Sequence, residues 1–244
     1  MTSILGKIAV SGLAVGVVSL SLAWALGGHD LWHTLADGRF PTRSCSDSKV
    51  AVGGPERRLP WTGRDSIGIA LSVPVRLVPG SGSDVVLRGA PETIAHLQLN
   101  DGGLRADCRS LRSAQAVTLE LPAQALRTVK LSGAATVTIE KLGQPELALV
   151  VSGSGRVQAQ GAVERVAVTL SGSGDVRLGE VALKRLTAKI SGSGSLEAAP
   201  RDEADLTLSG SGQVRLLTRP AALRSKVSGS GRVEQPPVES ADRK

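Results

Sequence analysis

The chain has 244 residues, a formal net charge of +7 and only 2% aromatic residues, namely three Trp, one Phe and no Tyr. Compact globular cores rely on aromatic bulk, so a core of Val, Leu and Ala beside 29 Gly points instead to a thin stack of small aliphatics. The basic residues are scattered, with "ERR" at 56–58 the nearest to a cluster, and no focused patch with stacking aromatics argues for nucleic acid as a partner.

After Lys7 the stretch "IAVSGLAVGVVSLSLAWALGG" (8–28) carries no charge. It exceeds the roughly 7–15 residues of a signal-peptide core and approaches the roughly 20 of a membrane-spanning helix. Ala23-Trp24-Ala25 nevertheless has the form of a signal cleavage site. Two readings stand, an N-terminal membrane anchor and a removed signal. Both place everything after residue 28 outside the cytoplasm: on the periplasmic side of the inner membrane if anchored, otherwise in the periplasm or at the cell surface.

Residues 29–60 mix Gly, Pro, Ser and charges without a sustained period and read as a linker. "HDLWH" at 29–33 has Asp30 where the H-E-x-x-H zinc motif has Glu, and no third ligand follows. Its histidines and Trp32 read better as membrane-interface residues. Cys45 and Cys108 are the only cysteines. Exported to an oxidising compartment they can form a disulfide, worth about 4 kcal/mol by the chain-entropy model. Alternatively Cys108 is a buried thiol in line with Leu104 and Ala106.

From Trp61 short runs alternate apolar and polar residues and end in turn residues, as in "IGIALSVPVRLVPG" and "DVVLRG". From 117 the runs become regular. Ser132, Ser152, Ser171, Ser191, Ser209 and Ser228 open successive SG units at spacings of 20, 19, 20, 18 and 19. Five residues before the serine stand Leu147, Val166, Leu186, Ala204 and Leu223; five after it stand Val157, Val176, Leu196, Val214 and Val233. Positions −3 and −1 are apolar too, except Ser225. All these offsets are odd, so one two-residue alternation runs through the motif.

Equal spacing with like residues in register is the mark of a solenoid. The expected fold is all-β: a single-stranded, right-handed parallel β-helix (β-solenoid) of about 19 residues per coil, preceded by one N-terminal hydrophobic helix. Residues 61–235 would form it, as about eight or nine coils making a rod on the order of 40 Å long, with a disordered tail at 236–244.

The SGSG motif itself offers little chemistry. Gln158, Arg177, Glu197, Arg215 and Glu234 occupy the place of the third glycine of a dinucleotide fingerprint. The P-loop lysine, the nucleophile elbow and the recurrent Asp of calcium-binding repeats are missing as well. His96 is the one histidine of the solenoid, and no carboxylates stand at a recognisable catalytic spacing. No catalytic, cofactor or metal residues are therefore nominated, and the protein reads as a non-enzyme. The motif is read as a corner. Gly153, Gly155, Gly172, Gly174, Gly192, Gly194, Gly210, Gly212, Gly229 and Gly231 would face inward where no Cβ fits. Ser152, Ser154, Ser171, Ser173, Ser191, Ser193, Ser209, Ser211, Ser228 and Ser230 would form two outward ladders.

The recurrent "SGSGxV" near a 19-residue period, with "VRLVPGSGSDVVLRGAPETIAHLQLNDGGLRADC" before it, resembles the GIN-domain family of auto-transporter adhesin heads over about residues 60–235. The resemblance implies an exported bacterial β-helix with no catalytic residues to carry over. A binding or adhesion surface in the cell envelope is the function expected from it. Expected partners are the membrane, through the N-terminal segment, and an envelope polysaccharide or envelope protein. The terminal coil, "EQPPVESADRK" permitting, could pair with another copy. A self-assembling scaffold of the bactofilin kind and a carbohydrate-active enzyme are the competing classes.

Overall fold

The computed structural model describes residues 45, 53–61, 65–108, 111, 115–122 and 126–237, all within one compact unit, Arg43–Lys244. The helix expected at 8–28, the "HDLWH" stretch and the tail beyond 237 lie outside the described residues.

In chain order the elements are β1 (Glu56–Pro60), β2 (Ser66–Ala70), β3 (Val75–Gly80), β4 (Asp84–Arg88), helix α1 (Pro91–Ala95), β5 (Leu97–Asn100), β6 (Gly103–Ala106), β7 (Val117–Pro122), β8 (Thr128–Gly133), β9 (Thr136–Leu142), β10 (Glu146–Gly153), β11 (Arg156–Gly172), β12 (Asp175–Gly192), β13 (Ser195–Gly210), β14 (Gln213–Leu216), β15 (Ala222–Ser228) and β16 (Arg232–Glu234). The fold is a parallel β-solenoid with about five turns of stacked coil. Each coil gives one strand segment to face 1, before the SGSG corner, and one to face 2, after it. Face 1 runs β2–β8–β10 and on through the later halves of β11, β12 and β13 to β15. Face 2 runs β3–β9 and on through the earlier halves of β11, β12 and β13 to β14 and β16.

The register pairs the aliphatic positions with their own copies. Leu147 lies beside Val166, Val166 beside Leu186, and Leu186 beside Ala204; Val157, Val176, Leu196 and Val214 make the facing row. These side chains are almost wholly buried. Stacked β-branched and small aliphatic residues fill so narrow an interior, and the alternation leaves the even offsets outside.

Both faces keep register from coil to coil, so the varying repeat length must be absorbed elsewhere. It falls between the faces, opposite the SGSG corner. The steps from Ile139 to Glu146, Ala159 to Arg165, Leu178 to Arg185, Ala198 to Glu203 and Leu216 to Ala222 are 7, 6, 7, 5 and 6 residues. Register breaks at Gln158/Gln160 and between Leu178 and Arg185 mark this back edge.

The first coils do not follow chain order, and the expected run of eight or nine consecutive coils from Trp61 is corrected here. β2 lies between β6 and β8, and β3 between β7 and β9, all parallel. The chain therefore leaves the β2–β3 coil, makes an excursion, lays β6 and β7 beneath it, and returns above it at β8. Antiparallel strands close that end: β4 and then β1 beyond β7, and β5 beyond β6. An antiparallel strand ends a parallel stack because it cannot continue the coil's path. Glu56–Pro60, placed in the linker by composition, is the outermost strand; it shows no alternation because both its sides are largely exposed. Arg57 ties it down, its Nη1 donating to the Leu97 carbonyl (2.9 Å) and to that of Ile94 (3.4 Å). A disulfide joins Cys45 to Cys108 with a Cα–Cα distance of 5.0 Å.

Among the described residues nothing pairs beyond the opposite end. β15 pairs only with β13 and β16 only with β14. Val227, apolar by register, is 42% exposed. Ser225, the one polar residue in its row, falls on this last coil and is exposed too.

Candidate binding surface

The two glycines of each motif do different work, which corrects the expectation that both face inward. Gly155, Gly174, Gly194 and Gly212 are buried; Gly153, Gly172, Gly192, Gly210 and Gly229 are not, and Gly231 on the end coil is half-buried. At Gly174 a Cβ would meet the Gly155 carbonyl oxygen and the Val151 side chain at 2.9 Å, so the inner corner has no room for it. Gly172 has φ +111°, and a Cβ there would stand 2.6 Å from the carbonyl oxygen of Gly153 in the coil below. That conformation suits glycine alone. In the first, degenerate unit Ala135 holds the inner position, buried.

The corner glycines also carry the ladder round the bend. Ser173 N donates to Gly153 O (2.9 Å) and Asp175 N to Gly155 O (3.0 Å), and the next coils repeat both bonds. The corner therefore leaves few backbone groups unpaired. Ser132, Ser152, Ser171, Ser191, Ser209 and Ser228 align along face 1. Ser154, Ser173, Ser193, Ser211 and Ser230 are likewise exposed. No hydrogen bond joins the hydroxyls of either row among the described residues.

Charge separates the two faces. On face 2 it is largely cancelled along the stack. Asp175 lies 3.0 Å from both Arg156 and Arg177, and the Ser195 hydroxyl donates to it at 2.8 Å. Burial pushes this carboxyl up, but the Ser195 and Arg156 hydrogen bonds and the Arg177 charge outweigh it and hold it below the usual range. Arg76 pairs with Glu140, and Arg88 bridges Glu120 and Glu56. Hydrogen bonds from Arg58 and Arg88 hold the Glu56 carboxyl below its usual range.

On face 1 Arg165 pairs with Glu146 and Arg224 with Glu203. Exposed Lys130, Arg185, Lys189 and Lys226 make no ion pair among the described residues. Lys130, Val150, Thr169, Lys189, Thr207 and Lys226 form one row, two positions before the motif serine. With about 4.8 Å per coil, the cations of that row recur roughly every 10–14 Å. A groove of about 470 Å³ runs beside it, lined by Arg127, Thr128, Arg165, Arg185, Thr187 and Asp205 among others. The sequence reading nominated the serine ladders and missed this row. Aligning the repeats on the serine and reading offset −2 would have found it.

The back edge carries a second groove of about 490 Å³, floored by Val163 and Leu183 and bordered by the Lys184–Glu164 pair (3.0 Å). That lysine's hydrogen bond holds the Glu164 carboxyl low.

With this geometry in view, residues 65–235 match the family described as "Putative auto-transporter adhesin, head GIN domain". The chain belongs to that family. Among solved structures, a "putative adhesin" from Bacteroides fragilis aligns at 17% identity with a TM-score of 0.55, covering 74% of this chain and 96% of its own. A "putative lipid binding protein" from Parabacteroides distasonis aligns at 13% identity with a TM-score of 0.44, covering 75% and 96%. A "putative adhesin" from Parabacteroides merdae aligns at 17% with a TM-score of 0.40, covering 75% and 95%. Likeness at such identities speaks for the fold alone. No curated protein has significant sequence similarity to the chain.

Proposed function

We propose that this protein of the GIN family is exported and presents face 1 as a binding surface for an anionic polymer of the bacterial envelope, without catalysing a reaction. The observation that carries the reading is the row of cations that make no ion pair among the described residues, Lys130, Lys189 and Lys226, set in register among Thr and Ser hydroxyls along a stiff stack. An extended polyanion lying along the coils meets charges at fixed intervals, and face 2, neutralised internally, offers no equivalent. The uncharged segment at 8–28 either anchors the chain at the inner membrane or directs its export to the periplasm or cell surface.

Binding of the full chain in detergent to anionic and neutral envelope polysaccharides tests this reading. The anionic polymers should bind, more weakly as salt rises. Lys130→Ala/Lys189→Ala should lower affinity about tenfold, and Arg156→Ala on face 2 should leave it unchanged. Equal retention by the variants and wild type overturns it. Turnover of any polysaccharide, lost with one acidic side chain, overturns the non-enzymatic part.

A scaffold of endlessly stacked copies is the weaker reading, because β1, β4 and β5 close one end with antiparallel strands. Light scattering should show no filaments.

A further inference from the structure

The capped end holds a cluster that the surface reading does not use. His96 is 8% exposed, and its Nδ1 lies 3.0 Å from Asp107 Oδ1. The backbone locks the pair, Asp107 N donating to His96 O at 3.0 Å. One ligand atom from each of His96, Asp107 and Cys108 lies within 4.8 Å of the other two. Cys45 is not one of this three-residue group and is joined to it through the disulfide, its Sγ bonded to Cys108 Sγ. One sulfur, an imidazole and a carboxylate therefore meet at one place, with a second sulfur tethered to the first, drawn from three separate parts of the chain. No spacing motif announces them.

In the disulfide state the sulfurs are poor ligands, because thiolates and not disulfides bind divalent zinc. From these facts we infer that reduction of Cys45–Cys108 opens a zinc site made of Cys45, Cys108, His96 and Asp107, so that metal binding at the cap is gated by the redox state of the disulfide. A dithiol reductant supplies two electrons and two protons and becomes its own disulfide, and the S–S bond yields two thiols. Zinc then takes both as thiolates, and two protons leave. Soft sulfur ligands with one imidazole and one carboxylate favour zinc over magnesium or calcium. Thiol–disulfide exchange with an oxidised dithiol reverses the sequence: that disulfide takes up two electrons and two protons, the Cys45–Cys108 bond re-forms and the metal leaves. This inference is independent of the surface proposed on face 1.

The test is metal titration of the full chain in detergent, oxidised and after anaerobic reduction with a dithiol that is then removed. Co²⁺ serves as the spectroscopic probe and Zn²⁺ as its competitor, with Cys45→Ser/Cys108→Ser as the baseline for any binding by His29 and His33. The reduced chain should bind one zinc at least about 100-fold tighter than the oxidised chain, with thiolate-to-cobalt charge transfer in the Co²⁺ form. His96→Gln should weaken that binding at least about 10-fold, since losing a ligand should cost no less than the roughly 10- to 100-fold lost with a ligand's outer-shell partner. Circular dichroism checks that each form is folded. If reduction loosens the cap, added zinc should restore the melting temperature of wild type and not that of His96→Gln. Zinc should also slow re-formation of the disulfide in wild type only. Equal zinc affinity in the two redox states overturns the inference, and so does a His96→Gln chain that binds as wild type does.

Discussion

Between Glu146 and Leu216 almost every strand segment lies against a copy of itself, whereas between Glu56 and Pro122 none does. In the first region a residue's neighbours along the stack are its own equivalents, so one rule at each offset satisfies every coil. In the second, β2 meets β6 on one side and β8 on the other, β4 turns against β7, and each contact needs its own solution. The regular stack holds itself by ladders, and the cap by individual ties: a disulfide, the His96–Asp107 pair and the reach of Arg57 to Leu97. The sequence repeats where the environment repeats. Breaking one rule of the stack should therefore damage a whole column, while breaking one tie of the cap should stay local.

The largest effect is expected at the corner. Gly172→Val puts a β-branched residue at φ +111° with its Cβ against the backbone of the coil below. Strain of about 1–3 kcal/mol adds to overpacking of about 1–3 kcal/mol, and rigid neighbours on both sides cannot relax. Denaturant unfolding should show a loss of about 2–6 kcal/mol. On the back edge Gly143 has nothing within 4 Å of its missing Cβ, so Gly143→Ala should stay within about 0.5 kcal/mol of wild type. Equal losses at the two positions would sink the distinction between a registered corner and an adaptable back edge.

The same distinction explains which features could be read in advance. The odd-offset aliphatics name the core of the stack almost completely, because a strand's inward face and a column of equivalents both show as periodicity. In the cap the alternation of β2, β3 and β4 was legible, but no column of equivalents accompanied it. "ERRLP" at 56–60 has no alternation because both its sides are largely exposed, and β6 and β7 stack out of chain order, which no local pattern encodes. The corner glycines were recognisable as a pair. Their separate duties depend on φ and on the coil below, neither of which a one-letter string carries. On the surface, Lys130 and Lys189 stood in the repeat alignment, but only the ion pairs along face 2 show that face 1 is the one left with unmatched charge.

Next in size is the cap's covalent tie. The disulfide spans a separation of 63 residues, and the chain-entropy account gives about 4 kcal/mol for such a loop. Cys45→Ser/Cys108→Ser should speed amide exchange in β4, β5 and β6 by a large factor and leave the β11–β13 amides as they are. Uniform acceleration throughout would show that cap and stack open as one unit, and the contrast between them would fail.

A smaller pair of substitutions compares the middle of the stack with its open end. Ala188 and Ser225 occupy the same offset; Ala188 is 1% exposed and Ser225 is exposed. Ala188→Ser places a hydroxyl among aliphatic neighbours and should cost about 1–3 kcal/mol. Ser225→Val adds apolar surface to a coil covered on one side only and should stabilise by no more than about 1 kcal/mol. Thermal unfolding of the two variants measures both. If Ser225→Val stabilises by as much as Ala188→Ser destabilises, the end coil is covered by something not yet identified.

The smallest effect is electrostatic and acts on both regions in acid. Asp175 in the stack, through Ser195 and then its arginine partners against the opposing effect of burial, and Glu56 in the cap, through its arginine partners, each have a carboxyl held below its ordinary range. A carboxylate whose folded value is depressed contributes its stabilisation fully above the unfolded value, near pH 4, and loses it as pH falls through the folded value. Between about pH 5 and 8 these contributions should therefore be flat, and they should fade below about pH 4. The arginines are about half exposed, so water and salt screen the pairs and the effect stays modest. Asp175→Asn should lower global stability slightly at neutral pH and narrow its gap from wild type as pH falls. Glu56→Gln should show the same pH dependence only in the exchange of β1 and β4 amides. A global acid response from Glu56→Gln would mean that the outermost strand of the cap reports on the whole stack, and that the coils beyond β2 and β3 depend on it for more than closure.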